Sequence, residues 1–171
     1  KMTRKEISWT IIAILIFWFI IAFNKQVNTS ILLLAVSTLI ILTNSLAKKI
    51  SAPFYNIKIE HSIWKIQQFG FYKGSYTKKP IPIGLIPFFL SFLSYGFIQI
   101  PLLLQFDSNN LRSKRAVKKS TRTRTEINEF EIAFTAAWGF YSLLLLALIG
   151  ALLKLPELSF YSVYYGIWNL I

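Results

Sequence analysis

Residues 31–49 read ILLLAVSTLIILTNSLAKK. Only Ser37 and Thr38 interrupt the apolar run before Leu42; then Thr43, Asn44 and Ser45 appear, and Lys48-Lys49 close the stretch. Ile31 to Ala47 is long enough for a helix to cross the hydrocarbon core, which takes roughly 17–25 mainly apolar residues. Its last turn is polar, however, and polar groups are costly in lipid. Such residues face the protein interior or a wet cavity. The stretch therefore reads as a membrane helix over 31–47 that carries a polar cluster to one end.

The segments on either side fit that reading. Ile7–Phe23 is free of charge, with Trp9 and Trp18 near its ends, where indoles favour the membrane interface. Lys1, Arg4 and Lys5 precede it, as they would a signal peptide, but Ile-Ala-Phe-Asn-Lys is a poor small-residue cleavage site, so 7–23 is expected to be a retained helix. The short linker Asn24–Ser30 makes the two helices an antiparallel hairpin. Residues 48–80 form a basic interfacial region. Within it Ile57-Lys-Ile-Glu60 alternates like a strand, and Trp64–Tyr72 reads either as a strand pair turning at Gly70 or as a short amphipathic helix. Residues 81–104 are apolar but broken, with Pro82, Pro87, Pro101, Gly84 and Gly96. Proline removes a backbone donor and kinks helices, so the segment is either re-entrant or a kinked full span. A basic loop over 105–129 follows, then a helix over 130–153, the tight turn Lys154-Leu-Pro156, and a final apolar helix over 158–171 inside which the sequence stops. Lys1 also precedes the first Met, and the chain is expected to be a fragment.

Composition agrees. The chain has 171 residues and a net charge of +12, with 54% hydrophobic residues gathered in runs separated by the charges. That excludes a disordered basic tail, whose apolar content would be low. It favours one membrane domain, 1–171: an all-α polytopic fold of about four transmembrane helices, a proline-broken segment and a small interfacial strand region. Short basic loops stay on the cytoplasmic side. The N-terminus, the 48–79 region and the loop carrying Arg112, Lys114, Arg115, Lys118, Lys119, Arg122 and Arg124 are therefore expected inside. That loop lacks the interleaved aromatics of a single-strand nucleic-acid binder. Its expected partners are the lipid bilayer and anionic headgroups, where each basic residue contributes about 1 kcal/mol.

Little in the sequence can run chemistry. Cysteine is absent and His61 is the single histidine, so thiolate sites and a pair of histidines at i and i+4 cannot be built. His61 itself reads as an interfacial polar residue in a loop. Glu126, Glu129 and Glu131 cluster at the start of a helix, where acids favour the dipole; Thr123 with Glu126 and Asn128 with Glu131 have capping-box spacing.

The order of parts from Ile31 onward resembles the site-2 protease family of intramembrane zinc metalloproteases. In that family a His-Glu-x-x-His motif lies near the polar end of an apolar helix, and here the place reads Asn44-Ser45-Leu46-Ala47-Lys48. A partly re-entrant, sheet-like region follows, matched by 57–104 with Phe106-Asp107 after it. A small-residue turn resembles Ala136-Ala137-Trp138-Gly139-Phe140, with Phe140 where the family has Pro. Trp168-Asn169 resembles the opening of an Asn-x-x-Pro element that leads to an aspartate ligand. The resemblance implies a membrane protease scaffold in which Asn44 replaces the first His, Ser45 the general-base Glu and Lys48 the second His. Gly139 and Asn169 are its family-like structural positions.

Catalytic and metal residues are accordingly expected to be absent, and no cofactor is expected. The expected function is a non-catalytic membrane binding or regulatory module, whose partner is a transmembrane helix of another protein held beside 81–104. The alternatives are an active metalloprotease with ligands outside this stretch, in which case zinc is the cofactor, and a structural subunit of a membrane complex.

Overall fold

The structure, a computed structural model, describes residues 3–23, 25, 27–55, 57–68, 76–101, 104–110 and 129–169. The chain is mostly helical. Three helices are long and apolar enough to cross a membrane, lying within Arg4–Ala22, Thr29–Tyr55 and Glu129–Leu152. The chain divides into two compact units, 1–37 with 61–105 and 38–60 with 106–171. The division passes through the second helix and through two strands.

The first unit is built on α1 (Arg4–Ala22). Thr3 caps it: the Thr3 hydroxyl accepts from the Glu6 N–H, and the Glu6 carboxylate accepts from the Thr3 N–H at 2.7 Å. This is a capping box, formed by residues that the sequence reading passed over. Ala13, Phe17, Ile20 and Ile21 are buried along α1. The Trp18 indole N–H donates to the Ser30 carbonyl at 2.8 Å, tying α1 to the first turn of α2 (Val27–Ser51). That helix is longer than the expected 31–47. The expected boundary at 48 gives way because Lys48 and Lys49 stand in its last turn, where cations favour the dipole end.

A 3-10 turn (Ala52–Tyr55) leads into β1 (Ile57–Ile63), which pairs with β4 (Leu104–Asn110). β2 (Lys65–Gln68) pairs antiparallel with β3 (Tyr76–Pro82), with Lys65 opposite Pro82. Of the two options for Trp64–Tyr72, Lys65–Gln68 is thus strand; Gly70 lies outside the described residues. The Ile57–Glu60 strand is present and runs on to Ile63. His61, expected in a loop, is instead a buried strand residue. β4 also occupies the start of the expected 105–129 loop. The rest of that loop, with Arg112, Lys114, Arg115, Lys118, Lys119, Arg122 and Arg124, lies outside the described residues, as do Thr123, Glu126 and Asn128.

Backbone hydrogen bonds fix the path of the broken segment. The Ile83 and Gly84 N–H groups donate to the Trp64 carbonyl at 2.9 and 3.0 Å. A 3-10 turn (Ile83–Leu85) then enters α3 (Ile86–Leu93), whose Pro87 sits in the first turn, where a missing N–H is harmless. Phe88 packs on Phe19 and Phe92 on Phe23, with centroids 4.7 and 6.0 Å apart. Successive turns of α3 therefore follow successive turns of α1 toward its C-terminal end. A turn follows in which Tyr95 and Gly96 have positive φ. By Gln105 the chain is back at Lys65, whose N–H donates to the Gln105 side-chain oxygen at 3.3 Å. The segment runs out along α1 and returns to the level from which it left.

In the second unit, α4 (Glu129–Leu152) and α5 (Pro156–Trp168) form a packed helical hairpin. Glu129 and Glu131 stand in the first turn of α4, as the dipole argument expects. Lys154 has positive φ at the turn, and the Leu155 N–H donates to the Gly150 carbonyl at 2.8 Å. Ala52, Ile57 and Ile59 make a small core with Tyr55, Phe106 and Ile132 against it. The expected fourth helix is α5. Over its described length it rises about 20 Å, and it is not among the three helices of membrane-crossing length.

Candidate functional site

Asn44, Ser45 and Lys48 lie within two turns of α2, at spacings (i, i+1, i+4) that put the first and last on one face. All three are buried. Two further positions singled out in the sequence meet them. Lys48 Nζ donates to Asn169 Oδ1, at the C-terminal cap of α5, at 2.9 Å. Gly139 on α4 brings its backbone so close to α2 that a Cβ there would collide with Asn44 Oδ1 and Lys48 Cε, and would lie 2.9 Å from Lys48 Cγ. The five positions that carried the resemblance are therefore close together, although 121 residues separate Lys48 from Asn169.

Two neighbours complete the cluster. Tyr165 is fully buried one turn before Asn169, and its hydroxyl hydrogen-bonds with the Asn44 side chain. Phe106 on β4 presents its ring face 5.1 Å from Lys48 Nζ, within cation–π range. Sequence reasoning noted Phe106 only as a landmark and missed Tyr165. The i, i+4 spacing of Tyr165 and Asn169 is the signal that would have found it. Asn44 Oδ1 and Ser45 Oγ are buried and have no hydrogen-bond partner among the described residues.

No protein-family model, no curated protein and no solved structure matches the chain.

A catalytic zinc takes about three imidazole, thiolate or carboxylate ligands and an open position for water. Here the converging groups are an amide, a hydroxyl and an ammonium, and the ammonium already occupies the Asn169 oxygen. A positive group in a ligand position repels a cation, so this donor set does not fit zinc. Among the described residues, no three His, Cys, Asp or Glu side chains group so as to hold a metal ion.

The single histidine belongs to a different cluster, in the first unit. The Glu6 carboxylate is buried; its Oε1 accepts from the His61 backbone N–H at 3.1 Å and lies 3.9 Å from His61 Nδ1. Thr10 donates to the Glu6 carbonyl at 2.8 Å. Glu6 thereby joins the start of α1 to β1, which explains why a carboxylate is held inside an apolar helix: charge-assisted bonds to backbone N–H groups offset its desolvation.

Proposed function

We propose that the chain is an integral membrane protein built on a site-2-protease-like scaffold and acting without catalysis, as a module that holds a transmembrane helix of another protein. The observation that carries this reading is the convergence of Asn44, Ser45 and Lys48 with Gly139 and Asn169, the positions at which the chain resembles that family. In a protease of that family this place would polarise a peptide carbonyl and activate water. A buried ammonium bonded to an amide oxygen does neither, and Ser45 is too short and too weak a base to stand in for a glutamate.

The out-and-back path of 83–105 supports the second half of the proposal. α3 rises only about 12 Å, too little to span, and the chain beyond it is irregular from Ile98 to Pro101. Irregular backbone at membrane depth survives only where protein or water covers it. Phe89, Phe92, Leu93 and Phe97 are exposed along the same stretch, a surface against which a partner's apolar helix packs without exposing that backbone to lipid.

The test is direct. The full-length protein, purified in detergent, is assayed for zinc content and for cleavage of transmembrane substrates with zinc supplied. The expected result is substoichiometric zinc and intact substrate. Stoichiometric zinc together with zinc-dependent cleavage would refute the proposal.

A further inference from the structure

Lys48 carries its charge into a site where the residue is only 4% exposed, and among the described residues no carboxylate lies within 4.0 Å of its ammonium. Such a group is expensive to bury unless something replaces its hydration. The replacement here is made of neutral groups: Asn169 Oδ1 at 2.9 Å and the Phe106 ring at 5.1 Å. Asn44 Oδ1 and Ser45 Oγ, about one turn earlier on α2, are buried without a hydrogen-bond partner among the described residues, so the ammonium bonds neither of them. Neutral oxygens and a π face suit an ammonium, which offers three N–H donors and a single charge. They suit a divalent ion poorly, because hard divalent cations select carboxylates and zinc selects imidazole, thiolate or carboxylate.

We infer that Asn169 and Phe106 form a seat for a primary ammonium group, which Lys48 fills from within the chain and which fastens the end of α2 to the end of α5. The lysine is a tethered ligand. Gly139 is part of the device, because a side chain there would take the space of the lysine stem. A seat vacated by truncating Lys48 accepts a free primary alkylammonium of matching length. This goes beyond the family reading and does not depend on it, since it concerns the ligand class of the seat rather than any relation to proteases.

The experiment uses the whole chain in detergent micelles and n-butylammonium as the probe, with thermal unfolding followed by tryptophan fluorescence. Lys48→Ala is expected to gain about 3–8 °C as n-butylammonium approaches saturation, the shift that a ligand well above its Kd gives a chain of this size. The wild type is expected not to respond. Neither n-butanol, which lacks the charge, nor tetramethylammonium, which lacks N–H donors, should reproduce the gain. Equal responses from variant and wild type, or an equal effect of n-butanol, would overturn the inference. Should Lys48→Ala fail to fold, Lys48→Met and Asn169→Leu close a double-mutant cycle. The seat requires the double variant to lose less than the two single losses added together; strict additivity would also overturn it.

Discussion

Replacing Gly139 by Ala adds a single methyl group, and the consequences can be followed through the contacts it meets. In an exposed helix the change would be favourable, since Gly is about 0.8–1.0 kcal/mol worse than Ala in a helix interior. At this position the new Cβ collides with Asn44 Oδ1 and Lys48 Cε and lies 2.9 Å from Lys48 Cγ. Neither side chain has an easy retreat. The lysine is held at its tip by Asn169, and Asn44 is held by Tyr165. Relief requires either that α4 and α2 separate or that the Lys48–Asn169 bond breaks. The first is overpacking, which costs about 1–3 kcal/mol. The second forfeits a hydrogen bond to a charged group, about 1.5–3 kcal/mol.

Setting either against the propensity gain leaves Gly139→Ala destabilised by about 0–2 kcal/mol, or up to roughly 8 °C for a chain of this length. Fluorescence-detected unfolding in detergent reads this directly. A second variant isolates the cause: in Gly139→Ala/Lys48→Ala the stem that the methyl strikes is gone, so the double loss should fall short of the sum. A Gly139→Ala protein more stable than the wild type by the full propensity gain would mean that α4 and α2 do not meet at this point, and the site built on that contact would fall with it.

Gly150→Ala should be destabilising by up to about 2 kcal/mol in the same assay once the helix-propensity gain is set against the overpacking, because its Cβ would lie 2.9 Å from the Ser159 backbone nitrogen, which cannot rotate away; a raised midpoint would contradict the α4–α5 packing. Glu6→Ala leaves the Thr3 and His61 N–H groups without their acceptor; Thr3 is exposed and turns to water, so the loss is about 1–3 kcal/mol for the buried His61 donor, and hydrogen exchange at the His61 amide should accelerate. Because the chain has no cysteine, single-cysteine labelling in intact cells has no background: Lys5→Cys and Ser113→Cys should label only after permeabilisation and Lys25→Cys without it, whereas outside labelling of Ser113→Cys would make 81–104 a full span.

What the sequence made legible was set by how locally each feature is encoded. The long helices announce themselves through apolar runs that need no partner to be recognised, and Ile57–Glu60 through its alternation. The end of α2 was drawn too early because Lys48 and Lys49 look like the start of a loop, whereas burial of Lys48 is supplied by Asn169 and Phe106, far away in the chain. His61 was misplaced for the same reason: its environment depends on Glu6, 55 residues earlier. The Thr3–Glu6 capping box was readable from spacing alone and was overlooked beside the stronger basic-then-apolar signal at the N-terminus. Asn44 and Ser45 stood out as the polar end of an apolar run, whereas Gly139 and Asn169 were picked out by resemblance, and nothing local would have brought these last two to α2.

The two buried charges show how an apolar chain tolerates ionic groups without assembling metal ligands. Glu6 lies in the first turn of α1, where backbone N–H groups are available in excess, and it takes one from its own cap and one from β1. Lys48 lies in the last turn of α2, where the unpaired groups are carbonyls and the dipole favours a cation. It turns instead to a side-chain amide at the cap of α5. Each charge sits at the helix end whose dipole suits it, and each reaches across to an element distant in sequence. Exchanging them would set both against their dipoles and put the ammonium at position 6 against the His61 backbone N–H, donor facing donor. The positions of these two residues are therefore fixed by backbone electrostatics as much as by their partners. A charge-reversing Lys48→Glu should accordingly be more damaging than the neutral Lys48→Met, since the carboxylate would face the carbonyl end of α2.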